Sequence, residues 1–337
     1  MSEEENGRKP IVAVPVRDEA DRLPALMKAL DIQTWVTRTG EALPILFVLN
    51  NCRDDSAGVI KAVSARVSHL AVSIIDIHFP PERAHVGSAR RLALDEALMR
   101  AGLNSLLLTT DADAVPAPNW IDANLKAVAD GADLVGGNII GDRTEEAALG
   151  PAFQRRARRH LQYAQLIDQL SALIDPVPHD PWQRHSDHTG ASLAVRAEVY
   201  QALGGIPALP FQEDVAFVSA ARRAGYRLCH PLDVQVMVSA RLDGRAMGGM
   251  ADCLKAWVDA AAQGLPHLVE DPLRVAARLH QRRSGRSSGD AAPIVYSATD
   301  DESAHGHASI EKEIEIELAI QRIEQMIEDT QDKTRVA

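Results

Sequence analysis

Ser105-Leu106-Leu107-Leu108-Thr109-Thr110-Asp111-Ala112-Asp113-Ala114-Val115-Pro116-Ala117-Pro118 is the stretch on which the fold turns. An apolar run of strand length ends in two carboxylates one residue apart, and two prolines then end the run. Paired aspartates leaving a buried strand can hold a hard divalent cation while keeping coordination sites open for phosphate oxygens. A lone Asp-x-Asp carries little weight, because such triplets arise by chance, so its meaning depends on what precedes it.

Strands and helices alternate ahead of it. Ile11 to Val16 reads as a buried strand, and Ala20 to Leu30 follows with Leu23, Leu26, Met27 and Leu30 at helical spacing. Strands are expected at Ile45 to Leu49 and Val72 to Phe79, and helices over Ser56 to Val67 and Gly87 to Arg100. This order implies an α/β, Rossmann-like fold: a mostly parallel sheet with helices on both faces and ligands at the carboxyl ends of the strands. Pro15-Val16-Arg17-Asp18-Glu19, Asn50-Asn51-Cys52-Arg53-Asp54-Asp55 and Asp111-Ala112-Asp113 each follow a strand. Three polar clusters on one rim point to a site more strongly than any one alone.

Composition narrows the class. The 337 residues are 46% hydrophobic and 25% charged, enough for one large domain with appendages or for two domains. A net charge of -11 argues against a general nucleic-acid binder, which needs a basic surface. No apolar stretch approaches the length of a membrane span, and the acidic opening Met1-Ser2-Glu3-Glu4-Glu5-Asn6 is unlike a secretory signal. The expected location is the cytoplasm. Cys52, Cys229 and Cys253 lack paired metal spacing and read as free thiols of a reducing compartment.

The ordered set Val14-Pro15-Val16-Arg17-Asp18-Glu19-Ala20, Val48-Leu49-Asn50-Asn51-Cys52-Arg53-Asp54-Asp55-Ser56, Asp111-Ala112-Asp113, Gly136-Gly137, Gly204-Gly205 and Gln212-Glu213-Asp214-Val215-Ala216-Phe217 resembles family 2 glycosyltransferases of the GT-A fold. The resemblance covers residues 10–260 and implies a nucleoside-diphosphate sugar donor, a Mg²⁺ or Mn²⁺ ion, and inverting transfer of one sugar to an acceptor hydroxyl. Surface glycans, glycolipids and glycosylated metabolites are the acceptor classes it implies. It divides the chain into a flexible start at 1–9, a donor half at 10–140, an acceptor and catalytic half at 141–260, and a trailing helical segment at 261–280.

Site residues follow from the matched positions. Pro15, Val16 and Glu19 fall where the family holds the nucleoside. Glu19 is the candidate for the ribose hydroxyls, although an acid in a helix's first turn also complements the dipole. Asn50 and Asn51 stand where the family usually has an aspartate reading uracil; amides both donate and accept, so UDP is the first expectation and GDP stays open. Asp55 reads equally as a helix cap. Gly87 and Ser88 are expected to open a helix close to the donor. Arg90 or Arg91, with Arg90 preferred, is expected to face the diphosphate, and neighbours about 100° apart on a helix leave room for only one of them.

The resemblance assigns Asp113 to the metal, and Asp111 to the ribose or to the metal through water. Asp214 is the expected catalytic base, with Glu213 orienting it or the acceptor; both are also acids that favour a helix start. Arg241 and Arg245 are expected in a lid over the diphosphate. His230 is a weaker candidate for a third metal ligand, and His188-Thr189-Gly190-Ala191-Ser192 for the acceptor pocket. The tryptophan-ended motif of the family's membrane synthases is absent from the corresponding region, which favours single-sugar over processive transfer. A retaining GT-A transferase and a non-catalytic nucleotide-sugar-binding or scaffold protein are the alternatives.

Two features lie outside the motifs. Arg155, Arg156, Arg158 and Arg159 open a helix running to about Leu173 and suit an anionic acceptor, a peripheral contact with the inner membrane face, or plain solvation. His179, His185, Asp187 and His188 match no ligand spacing and stay unassigned. In the tail, 281–308 reads as linker or disorder, and 309–330 as an amphipathic helix with Ile316, Ile320, Ile323 and Ile327 on one stripe. That stripe needs a partner, either the domain itself or a second copy in a homodimer. Ile314 to Leu318 also alternates as a strand does.

Overall fold

The computed structural model describes residues 7–245, 248–287 and 313–336, so the expectations for residues 1–6 and for 288–308 lie outside the described residues. Contacts group the described residues into two units, one from Met1–Asp142 with Ser186–Gly249 and the other from Arg143–His185 with Met250–Ala337.

The first unit begins with β1 (Lys9–Val16), α1 (Leu23–Asp31), α2 (Thr34–Thr39), β2 (Leu43–Asn50), α3 (Ser56–Ser64), β3 (Leu70–Ile77), α4 (Val86–Ala101) and β4 (Ser105–Thr109). It continues with β5 (Val115–Pro116), α5 (Trp120–Ala129), β6 (Leu134–Gly136) and β7 (Asn138–Gly141). The chain then enters the second unit through α6 (Arg143–Ala148) and α7 (Pro151–Ile174). It returns as β8 (Leu193–Arg196), α8 (Ala197–Ala202), α9 (Glu213–Arg223), β9 (Leu228–Cys229) and β10 (Gln235–Val238). It ends, again in the second unit, with α10 (Met250–Ala262), β11 (Leu268–Glu270), α11 (Pro272–Ser287), β12 (Glu313–Glu315) and α12 (Ile316–Val336).

The main sheet has the order β3-β2-β1-β4-β8-β6-β9. The pairs among β1, β2, β3 and β4 are parallel, and β8 runs antiparallel between β4 and β6. Val16 pairs with Leu49, and Ala13 with Thr109, so the loops after β1, β2 and β4 leave from the same edge. β1 is buried on both faces: Val12, Val14 and Val16 join Leu23, Leu26, Met27 and Leu30, while Ile11 and Ala13 join Ala89, Ala93 and Ala97 of α4. A strand covered twice reads as a continuous apolar run, which is why it stood out in the sequence. Burial of each such Val, Leu or Ile contributes about 1.5–3 kcal/mol. A smaller sheet, β5-β10-β7, flanks the loop that carries Asp113.

The second unit is a helical cluster. Leu170 and Ile174 of α7 pack with Val275, Ala276 and Leu279 of α11 and with Ile323 and Ile327 of α12. Val269, Ile316, Ala319 and Ile320 form a neighbouring cluster with Tyr163 and Leu166. The isoleucine stripe is therefore buried inside the chain's own unit, the first of its two expected partners. The alternation at Ile314 is explained as well, since Glu313–Glu315 pairs antiparallel with β11 before the helix starts at Ile316.

Two boundaries differ from the sequence reading. The expected linker start at 281 falls inside α11, whose end is fixed by Arg282 Nε on Asp175 at 2.5 Å and by Arg283 on the Ile174 carbonyl at 2.9 Å. The expected single block from 10 to 260 is interrupted, because residues 143–185 group with 250–336, where α11 and α12 take up the apolar stripe of α7. No helix among the described residues is long and apolar enough to cross a membrane.

Candidate functional site

Arg90 is the centre from which the site is built. Its place on α4 follows from the inward stripe Ala89, Ala93, Leu94 and Ala97, and it is 2% exposed. Its Nε donates to Glu213 at 2.8 Å, one terminal nitrogen donates to the Thr109 hydroxyl at 2.9 Å and the Gly190 carbonyl at 2.8 Å, and the other donates to Asp111 at 2.7 Å. Burial alone would lower its pKa; Asp111, Glu213 and Asp214 more than offset this and keep the guanidinium charged. Gly190 is glycine for a visible reason, since a Cβ there would lie 2.3 Å from the Arg90 guanidinium carbon.

Arg90 thereby ties the Asp111-Ala112-Asp113 turn to the Glu213-Asp214 pair, which is 100 residues further along the chain. The sequence reading aimed this guanidinium at the diphosphate; the structure gives its nitrogens to protein acceptors instead. Its neighbour Arg91 pairs with Asp95 at 2.8 Å and with the Ile206 carbonyl at 2.9 Å.

Glu213 and Asp214 open α9 behind Gln212, whose φ of 56° is left-handed, a conformation that non-glycine residues adopt mainly where surroundings enforce it. Glu213 is 2% exposed, and burial raises its pKa against the pull of Arg90. Asp214 is half-buried. One of its oxygens accepts from the Gly190 N–H at 2.5 Å and the other from the Val215 N–H at 2.8 Å. Of the pair, Asp214 is the carboxylate that reaches solvent.

A second cluster joins Glu19, Asp113 and Arg241. The Arg241 guanidinium grips both Glu19 oxygens and lies 3.0 Å from Asp113 Oδ2. Burial, then the neighbouring Asp111, pushes the Asp113 carboxyl up to about 6, with Arg241 pulling the other way and Glu19 adding to the rise. Arg245 donates to the Asp18 carbonyl at 3.1 Å, so both arginines expected in the lid reach the loop after β1.

The nucleoside positions divide. Pro15 and Val16 are buried at the end of β1, with the Val16 side chain in the core, which leaves only their backbone to face a ligand. Asn51, at φ 53°, acts as a clamp: its amide donates to the Phe79 carbonyl and accepts from the Phe79 N–H, both at 3.0 Å. Asn50 donates to the His85 carbonyl at 3.1 Å, and its Oδ1 is buried with no partner. Gly87 serves packing, because a Cβ there would meet the Leu209 carbonyl oxygen at 2.0 Å. His230 is buried with Nε2 3.3 Å from His188 Nδ1, and a Cβ on Gly136 would meet the Asp187 carbonyl oxygen at 2.4 Å and the His230 ring at 3.0 Å.

Sequence reasoning missed Thr109, the Gly190 carbonyl and the loop staple formed by Asp18, Cys52 and Asp54. Asp18 accepts from the Arg53 N–H at 2.6 Å, while Asp54 accepts from the Ala20 N–H at 2.8 Å and the Ser56 hydroxyl at 2.6 Å. Their ligand-type atoms lie within 4.8 Å of one another. The available signal was the run of acids in both loops, which reads as generic turn chemistry until the loops are seen side by side.

Glu19, Asp111, Asp113, Glu213 and Asp214 thus share one set of contacts in which, among the described residues, Arg90 and Arg241 are the paired cations. A hard cation suits such an all-oxygen, negatively charged set.

Residues 11–179, half of the chain, match the family described as Glycosyl transferase family 2. No curated protein sequence matches the chain. Among solved structures it is similar to S. aureus TarS 1-349, at 12% identity and a TM-score of 0.50 over 89% of this chain and 75% of that one. It is also similar to the mannosyltransferase PcManGT from Pyrobaculum calidifontis in complex with GDP-Man and Mn²⁺, at 17% identity and a TM-score of 0.46 over 89% and 86% of the two chains. Glucosyl-3-phosphoglycerate synthase from Mycobacterium tuberculosis in complex with Mn²⁺ and UDP-Glc follows at 15% identity and a TM-score of 0.44, over 78% and 82%. At these identities the structural likeness speaks to the fold. The family match over half the chain, on an α/β frame with the expected carboxylates at its strand ends, places this protein in glycosyl transferase family 2 as a glycosyltransferase of the GT-A fold.

Proposed function

We propose that the protein is a metal-dependent inverting transferase that moves a single sugar from a nucleoside-diphosphate sugar to an acceptor hydroxyl. The observation that carries the reading is the Arg90 bridge, which makes one site of Asp111 and the Glu213-Asp214 pair.

Asp214 is the general base. As the acceptor oxygen attacks the anomeric carbon, its proton passes to Asp214, and the bond from that carbon to the diphosphate oxygen breaks on the opposite face. The Gly190 and Val215 N–H groups hold Asp214 in place, and each of its oxygens keeps lone-pair capacity for the proton. Glu213 acts through Arg90 as a positioning residue. Asp111 and Asp113 would hold a Mg²⁺ or Mn²⁺ ion, which when bound supplies the positive charge that a departing nucleoside diphosphate needs. Arg241 is the nearby cation able to leave Asp113 and meet donor phosphates, with Glu19 then facing the ribose hydroxyls. The unpartnered Asn50 Oδ1 is an acceptor suited to a base with a ring N–H. That favours UDP, then GDP, over CDP.

Calorimetric titration with UDP and GDP, each with Mn²⁺, Mg²⁺ or chelator, tests the donor site. Binding by one diphosphate that requires metal and disappears in Asp113→Ala is expected; metal-independent binding, or binding retained by the variant, counts against the assignment. With a donor in hand, Asp214→Asn should lower kcat by at least about 10²-fold with nucleotide binding retained. The anomeric configuration of the product, read by NMR, separates inversion from retention.

A further inference from the structure

Arg155, Arg156, Arg158 and Arg159 lie on α7 of the second unit, and at about 100° per residue they cover about 160° of its circumference. They line a cleft of about 740 Å³ together with His267, Glu315 and Glu317. The arrangement is electrostatically unfavourable for the helix. Cations in its amino-terminal half oppose the dipole, and the pairs Arg155–Arg158, Arg156–Arg159 and Arg155–Arg159 stand three or four residues apart, where like charges repel.

Compensation inside the unit is incomplete. Arg159 meets Glu317 at 2.8 Å. Arg156 is pinned by the carbonyls of Leu265 at 3.2 Å and Pro266 at 3.1 Å, which carry no charge, and its Nε is buried without a partner. Burial lowers its pKa with no acid acting against it. Arg155 and Arg158 are exposed and have neither an ion pair nor a hydrogen bond among the described residues. The imidazole of His267 adds no charge near neutrality, because burial, then Arg156 and His160, pushes its pKa down to about 4. Four guanidiniums therefore face two carboxylates in a chain whose net charge is -11.

We propose that this cleft is a second ligand site, which binds a small phosphate-dense anion through the guanidinium forks of Arg155, Arg156 and Arg158. Planar guanidiniums pair with phosphate oxygens two at a time, which point-like ammonium groups do not, and the cluster contains arginine and no lysine. A concave cleft favours a small molecule over a membrane surface, which would be met by an open face. The proposal is independent of the donor-site reading, since no residue is shared.

The test is calorimetric titration of the full chain with inorganic tripolyphosphate, in chelator and at roughly physiological ionic strength. Three proteins are compared: the unaltered chain, Arg155→Gln/Arg158→Gln, and Asp113→Asn. Both arginines are exposed, so the double variant removes charge without disturbing packing. Saturable binding is expected that weakens about tenfold or more in the double variant and stays within about twofold in Asp113→Asn. Absence of binding, or equal binding by the double variant, overturns the proposal. So does loss confined to Asp113→Asn, which would put the anion in the donor site. Sedimentation with vesicles containing phosphatidylglycerol supplies the last arm: vesicle binding by a chain that ignores tripolyphosphate would assign the cluster to a lipid surface and overturn the small-anion reading.

Discussion

At the scale of single residues, the site depends on groups whose partners are far away in sequence. Arg90 and Arg91 are adjacent, and helix geometry correctly implies that they face different neighbours. Which carboxylates meet Arg90 was not legible, because Asp111 and Glu213 arrive from separate loops. Its burial was foreshadowed, since positions 90, 93, 94 and 97 fall on one helical stripe with three apolar members. Asp18, Asn51 and Gln212 hold left-handed backbone at loop positions bearing or flanking site residues, and each such conformation costs about 1–3 kcal/mol. Asp113 shows the same tension between stability and function. Its folded pKa of about 6 lies above the ordinary 3.8, so between those values the folded protein holds a proton that the unfolded chain has lost. Stability contributed by this group accordingly falls as pH rises from about 4 to 6, and above 6 the ionised carboxylate costs up to about 3 kcal/mol. Asp113→Asn should therefore stabilise the metal-free protein at pH 8 by up to that amount, with the gain vanishing near pH 4. Urea denaturation in chelator across this range measures it, and a variant less stable at pH 8 would refute the cost assigned to ionising this buried carboxyl beside Asp111.

At the scale of elements, β1, β2 and β4 were legible because strands covered on both faces are continuous apolar runs, each ended by polar loop residues. β6, β8 and β9 have two to four residues each, and their pairing is long-range, so no local pattern announces their order in the sheet or the antiparallel course of β8. At the start of α4, Gly87, expected to open the helix close to the donor, has a packing role that its residue type does not announce: its missing Cβ admits the Leu209 backbone. Gly87→Ala would gain up to about 1 kcal/mol of helix propensity while forcing a backbone apart at 2.0 Å, and overpacking of this kind typically costs about 1–3 kcal/mol. Net destabilisation of about 1–2 kcal/mol is expected from denaturant midpoints at unchanged slope. A neutral or stabilising effect would show that the Leu209 segment yields freely.

At the scale of the whole molecule, the chain passes between two units three times, leaving the sheet near 142, returning near 186 and leaving again near 249. The sequence reading places a division at 140, where the resemblance separates a donor half from an acceptor half. The return was invisible, since residues 143–185 differ from their surroundings in neither length nor composition enough to mark an insertion. What assigns α7 is the apolar stripe shared with α11 and α12, a contact between segments more than 100 residues apart. Two separate cores make a single unfolding free energy an unsafe measure, so ligand effects are better followed locally. Every residue assigned to the donor and base belongs to the sheet unit. A nucleoside diphosphate with its divalent ion, at a hundred times its Kd, stabilises the state that binds it by about 2.7 kcal/mol. Hydrogen exchange should then slow at β1, β4 and α9, and the slowing should be absent in chelator. If protection instead rises on α7 with those strands unchanged, the nucleotide is held by the arginine cleft, and the strand-end carboxylates lose their claim to the donor.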